Sequence, residues 1–180
     1  LNKIEIVYNA VSDRFRPNKN SRINQTPYLL AVSSVNYHKN YSRVIEAFTN
    51  LYKSKKYDIK LFIIGGTNQC FSKEYYDTEN IPISFLGRVN DNELIKLYQN
   101  ALAFIFPSIY EGFGIPPMEA QACGCPVISS NTSAMPEILK DSVLYFDPLD
   151  ILDIEKAMDI IITDQTMQES LISKGFYNVD

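Results

Sequence analysis

Between Pro107 and Val127 the chain reads PSIYEGFGIPPMEAQACGCPV. A carboxylate, Glu111, stands beside a Gly112-Phe113-Gly114 turn, the pair Pro116-Pro117 opens a helix, and a second carboxylate, Glu119, follows. Glycines let backbone come close to a ligand. A helix N-terminus turns free N–H groups and a partial positive charge toward an anion. A carboxylate in the first turn of that helix can accept hydrogen bonds from sugar hydroxyls, as the acidic residue of a dinucleotide fold does with ribose. The stretch therefore has the parts that a nucleoside diphosphate joined to a sugar would require.

On either side of this stretch, short apolar runs alternate with helical patterns, the signature of a parallel α/β sheet. Strands are predicted at Ile4–Tyr8, Tyr28–Ser33, Ile59–Ile64, Ile83–Leu86, Ala103–Phe106, Val127–Ser129 and Val143–Tyr145. Several are apolar on both faces, as strands covered by helices on each side must be. Helices are predicted at Tyr41–Ser54, Asn92–Asn100, Pro117–Cys123, Ile151–Ile162 and Gln165–Tyr177, with Asp91 as the N-cap of the second. In the first, Val44, Ile45, Phe48 and Leu51 fall on one face. The fold class expected is a Rossmann-like parallel sheet flanked by helices, as one domain over residues 1–180. Ligands of such sheets bind beyond the carboxyl ends of the strands, which here follow Ser33, Ile64, Leu86, Phe106 and Ser129.

Composition narrows the function. At 180 residues with 46% apolar side chains the chain can bury a full core, and a net charge of -4 argues against a general nucleic-acid binder. The one basic run, Lys53, Lys55 and Lys56, reads as a solvated helix end. No apolar stretch approaches the roughly 20 residues of a membrane span and no signal peptide opens the chain. Three cysteines and a single histidine, with Cys123 and Cys125 one residue apart, suit neither a disulfide framework nor a zinc site. Both thiols read as small buried hydrophobes. The chain starts at Leu1, close to a predicted strand, as an excised domain would.

These motifs resemble the C-terminal, donor-binding domain of the retaining GT-B glycosyltransferases of family 4, the glycosyl transferases group 1. The resemblance spans essentially the whole chain. It starts at Tyr8-Asn9-Ala10-Val11 with Phe15 and Pro17, similar to the family's N-G-V…F-x-P, and continues through HKNYSRVIEAF, IIGG, FLGRV, the E-x7-E stretch from Glu111 to Glu119, and Pro136-Glu137. It implies one half of a GT-B architecture, with an N-terminal acceptor domain absent from this chain and the isolated domain inactive alone. The implied activity is transfer of a sugar from a nucleoside diphosphate to an acceptor hydroxyl, with retention at the anomeric carbon and no metal cofactor.

By resemblance, Glu119 binds the ribose hydroxyls, Glu111 contacts the donor sugar, and Lys39 neutralises the diphosphate as negative charge develops on the leaving group. Gly112 and the backbone of Phe113, Gly114 and Ile115 face the sugar and distal phosphate, while Pro116 has no N–H to offer. The backbone of Val89 lies near the base. Where many members carry an arginine, this chain has Ser33, so Arg88 either reaches in from the next loop or stays on the surface. His38, beside Lys39, and Tyr110, beside Glu111, are each open to a ligand or a packing role. Gly65-Gly66 is explained by a tight turn alone, and Glu137 is taken as structural. The implied partners are a nucleotide-sugar donor and, through the missing domain, a saccharide or glycolipid acceptor, with no nucleic acid. The implied setting is the cytoplasm, with peripheral membrane contact of the full-length protein left open. Two other classes share these motifs: a non-catalytic nucleotide-sugar-sensing module and a sugar-nucleotide epimerase.

Overall fold

Alternate residues of the strands are buried on opposite faces of one sheet, which is why the strand sequences are apolar throughout rather than alternating. Leu29, Ala31, Leu61, Ile63, Ala103, Ile105 and Ile128 belong to one core, while Tyr28, Leu30, Ile64, Phe104, Phe106 and Val127 belong to the other. The computed structural model describes residues 7–18, 26–32, 37–65 and 80–180. Among these, the strands are β1 (Tyr28–Val32), β2 (Lys60–Ile64), β3 (Ile83–Gly87), β4 (Ala103–Phe106), β5 (Val127–Ser130) and β6 (Leu144–Phe146). They form a six-stranded sheet in the order β3-β2-β1-β4-β5-β6 with every pairing parallel. Leu30 aligns with Phe62 on one side and with Phe104 on the other. The direction of winding therefore reverses between β1 and β4, opening a crevice at their carboxyl ends.

The first core is closed by α1 (Tyr41–Lys55) and α5 (Ile151–Thr163), whose apolar faces bury Val44, Ile45, Phe48, Leu51, Ile154, Met158 and Ile161. The second is closed by α2 (Asp91–Asn100), α3 (Ile115–Ala122) and α4 (Met135–Leu139). The last helix, α6 (Gln165–Val179), joins the layers, with Leu171 in the first core and Val179 against the second. Gly175 permits its close approach to α3, since a Cβ there would come within 3.0 Å of Gln121 Cγ. The basic run at the end of α1 is exposed, as expected, where cations complement the helix dipole.

Several predicted boundaries move for physical reasons. Asp91 is not the cap of α2. Asn90 is, accepting from Glu93 N–H at 3.1 Å while the Glu93 carboxylate accepts from Asn90 N–H at 3.0 Å, which is a capping box. Asp91 is instead the first helical residue and pairs with Arg14 at 2.9 Å. Asn90→Ala is expected to cost about 1 kcal/mol, read as a fall of roughly 2–4 °C in melting temperature. Helix α3 begins two residues before the predicted Pro117, because Gly114, at φ 88°, turns the chain directly into it.

Most of the predicted strand Ile4–Tyr8 lies outside the described residues, and Val7 and Tyr8 are not in a strand. Residues 7–18 instead run over the second helical layer. The Tyr8 ring meets Phe113 at 6.0 Å between centroids, its hydroxyl donates to Glu137 Oε1 at 2.8 Å, and Phe15 meets Tyr98 at 6.3 Å. Glu137, at the start of α4, thus holds this leading segment, which fits the structural role expected of it.

Candidate functional site

Strand β1 leads to a 3-10 turn, Tyr37–Lys39, and β4 leads to the loop 107–114 that starts α3. The two meet across the crevice. The Ile109 N–H donates to the His38 carbonyl at 2.8 Å. Asn40, buried and at φ 55°, caps α1 and donates through Nδ2 to the carbonyls of Pro107 at 3.2 Å and Pro148 at 2.6 Å. Its Oδ1 accepts from Arg43 Nη1 at 2.7 Å. Sequence reasoning gave Asn40 no part in the site. The available signal was an asparagine just before an amphipathic helix, a residue type that tolerates the left-handed conformation.

This stapling sets Lys39 against Glu111, with Lys39 Nζ in an ion pair with Glu111 Oε1. The side chains are only 23% and 17% exposed. Lys39 Nζ also lies 5.5 Å from the centroid of the Phe106 ring, at the end of β4. Next to them, Ser108 is buried and its hydroxyl has no hydrogen-bond partner among the described residues, a rare condition for a buried polar group. At the helix start, Pro116 and Pro117 have no N–H, so Ile115 is the only donor among the first three residues of α3. Gly114 needs to be glycine. Its φ is 88° and a Cβ there would come 2.5 Å from Met135 Cε. Gly112 is exposed, and a Cβ there would meet open space.

Glu119 is elsewhere than expected. It is the fifth residue of α3, not in the first turn, and it faces α2, where Tyr98 Oη donates to Glu119 Oε2 at 3.5 Å. Burial raises its carboxyl above the ordinary range; the Tyr98 hydrogen bond lowers it and the charge of Asp91 raises it further. Val89 packs against the same core as Tyr98, so this carboxylate and the loop expected near the base share one side of the crevice.

Residues 12–176 match the glycosyl transferases group 1 family. The chain belongs to that family. Among relatives of this group 1 chain, the O-antigen chain mannosyltransferase RfbU of Salmonella typhimurium is 37% identical over 153 residues, covering 82% of this chain and 41% of the relative. The serotype-specific mannosyltransferase WbdA of Escherichia coli is 37% identical over 98 residues, or 54% of this chain and 12% of the relative. The group 1 chain thus spans less than half the length of these curated relatives. Among solved structures, the C-terminal domain of a glycosyl transferase group 1 family protein (LpcC) from Francisella tularensis superposes with a TM-score of 0.77 at 26% identity, covering 92% of this chain and 93% of that one. WaaG, a glycosyltransferase involved in lipopolysaccharide biosynthesis, superposes with a TM-score of 0.80 at 17% identity over 95% of this chain and 50% of that one, a likeness of fold.

The remaining candidates of the group 1 chain are distributed unevenly. Arg88 is exposed on the β3–α2 connection, and Tyr110 is 70% exposed, so it does not serve as packing. Phe113 is half-buried against the second core. Ser33 and Gly66 lie outside the described residues, while the Gly65 N–H donates to the Gly87 carbonyl at 2.6 Å, joining the end of β2 to the end of β3. Cys123 and Cys125 are buried, as predicted, and burial, with the Glu119 charge second, pushes the Cys123 thiol up to about 12. It is a neutral thiol at physiological pH. Cavities away from this crevice include one of about 560 Å³ lined by Phe15, Pro17, Phe176 and Tyr177 among others, and one of about 110 Å³ beside Tyr8 and Glu137. Among the described residues no helix is long and apolar enough to cross a membrane.

Proposed function

We propose that this chain is the donor-binding half of a retaining glycosyltransferase that takes a sugar from a nucleoside diphosphate and passes it to an acceptor hydroxyl. The observation that carries the reading is the juxtaposition of Lys39 and Glu111 at the reversal point of the sheet, beside the start of α3. One is the cation a diphosphate needs, the other the acceptor a sugar hydroxyl needs. In the proposed site the diphosphate takes Lys39 and the amides of Phe113, Gly114 and Ile115, and Arg88 comes to it from the β3–α2 connection. The sugar takes Glu111 beside Gly112. The ribose takes Glu119, and the base lies by the backbone of Val89.

In the reaction, the bond from the anomeric carbon to the phosphate oxygen breaks with its electron pair leaving on the nucleoside diphosphate. The acceptor oxygen forms the new bond on the same face, and its proton passes to the departing phosphate oxygen. Lys39 and the amides stabilise the charge that develops there, so the proposed site calls for no metal cofactor. Acceptor recognition belongs to a further domain, with a saccharide or glycolipid as acceptor and cytoplasmic residence with peripheral membrane contact for the full-length protein. The relatives named as mannosyltransferases make a mannosyl donor the first to test.

A thermal-shift panel of UDP, GDP, ADP and dTDP with their sugars tests the reading. At about 100 times the dissociation constant, binding adds about 2.7 kcal/mol, a rise of roughly 5–10 °C for a domain of this size. No shift with any member of the panel sinks it.

A further inference from the structure

The loop that carries Glu111 is held from one side by hydroxyls at the end of β5 and in the β5–α4 connection. Ser130 Oγ donates to the Ser108 carbonyl at 2.7 Å, and Thr132 Oγ1 donates to the Ile109 carbonyl at 3.0 Å. Ser133 goes further, because it satisfies both backbone groups of Glu111 itself. The Glu111 N–H donates to Ser133 Oγ at 3.1 Å, and the Ser133 hydroxyl donates to the Glu111 carbonyl at 2.6 Å. Ser133 also has φ 58°, a left-handed conformation that a non-glycine residue seldom adopts. Strained backbone of this kind persists where its surroundings fix it, and it gathers at ligand sites. Ser133 is exposed, so burial does not account for its conformation.

Across the crevice the same loop touches the Lys39 turn through Ile109, and the Glu111 carboxylate ends on Lys39. The loop is thus gripped on both sides, and at Glu111 the grip is a single side chain closing a two-bond ring on the peptide units of the residue that meets the sugar. We propose that Ser133 is a positioning residue that sets the backbone of Glu111, and through it the reach of the Glu111 carboxylate toward the donor sugar. The role rests on the donor site proposed above. It acts on sugar recognition and not on the diphosphate, which has its own cation and amides.

The test uses the full-length protein, with GDP and GDP-mannose as first probes and the other pairs of the panel if these fail to bind. Ser133→Gly removes the hydroxyl and relaxes the backbone together, so the fold is not put at risk. The expected result is a roughly 10–100-fold weaker response to the sugar-bearing donor and a matching fall in kcat/KM, with affinity for the bare nucleotide and the melting temperature within error of wild type. Ser133→Thr, which keeps the hydroxyl, is expected to recover most of the sugar-donor response despite a lower melting temperature. In an Glu111→Gln background, Ser133→Gly should have little further effect on sugar discrimination, because both changes act through one carboxylate. Equal loss of bare nucleotide and sugar-bearing donor, or full activity of Ser133→Gly, overturns the positioning role while the donor site stands. A wild-type protein that binds no member of the panel overturns the donor site, and the role of Ser133 falls with it.

Discussion

Lys39→Ala in the full-length protein is expected to lower glycosyl transfer roughly 10²–10³-fold, the size of effect seen when one preorganised charge-stabilising donor is removed from a reacting site. Negative charge accumulates on the diphosphate as the glycosidic bond breaks. An ammonium in a poorly solvated crevice meets that charge strongly, and Lys39 is only 23% exposed, beside the Phe106 ring. The substitution also strands Glu111, a largely buried carboxylate, without its partner. A lower melting temperature would therefore accompany the loss of activity. The double variant Lys39→Ala/Glu111→Gln separates the two effects, since it should recover stability while transfer stays at or below the level of Lys39→Ala. Recovery of transfer in the double variant would show that Lys39 serves the fold alone.

Glu119→Gln is expected to weaken donor binding by about 10–100-fold, the equivalent of a charge-assisted hydrogen bond to a ribose hydroxyl. Stability of the unliganded domain should move the other way. Burial raises the Glu119 carboxyl above its ordinary value of 4.5. Between that value and the higher folded one, the native state holds more protons than the unfolded state, so the contribution of this group to stability is lost as pH rises through the window. At neutral pH the glutamine variant, having no charge to bury, should melt no lower than wild type. As pH rises above 4.5 its melting temperature should lack the downward contribution that Glu119 makes in the wild type. Donor affinity in the wild type should correspondingly weaken as pH falls through the same window. Loss of stability in Glu119→Gln without loss of donor affinity would assign this side chain to the α2–α3 packing.

The sheet was legible because its information is local. Tyr28 to Val32 and Ala103 to Phe106 are short apolar runs of the kind a strand covered on both sides uses, and α1 shows its buried face at helical spacing. The Lys39 and Glu111 positions were legible through motif, each standing just after a strand. What stayed hidden depends on long-range geometry. Nothing near Asn40 in sequence says that it donates to Pro107 and Pro148. Nothing near Ser133 says that its hydroxyl will close on Glu111, 22 residues away. The starting point of α3 was misjudged because two prolines were taken as its first residues. The left-handed Gly114 had already begun the helix, which carried Glu119 beyond the first turn and round to Tyr98.

In the proposed site, the ion pair of Lys39 with Glu111 would make donor capture an exchange of partners. With the donor placed as proposed, a diphosphate draws the ammonium away and leaves the carboxylate in want of donors. An attached sugar answers that want with its own hydroxyls, whereas a spent nucleotide has none to give. In the proposed site the sugar-bearing molecule thus offers the carboxylate a compensation that the bare nucleotide lacks.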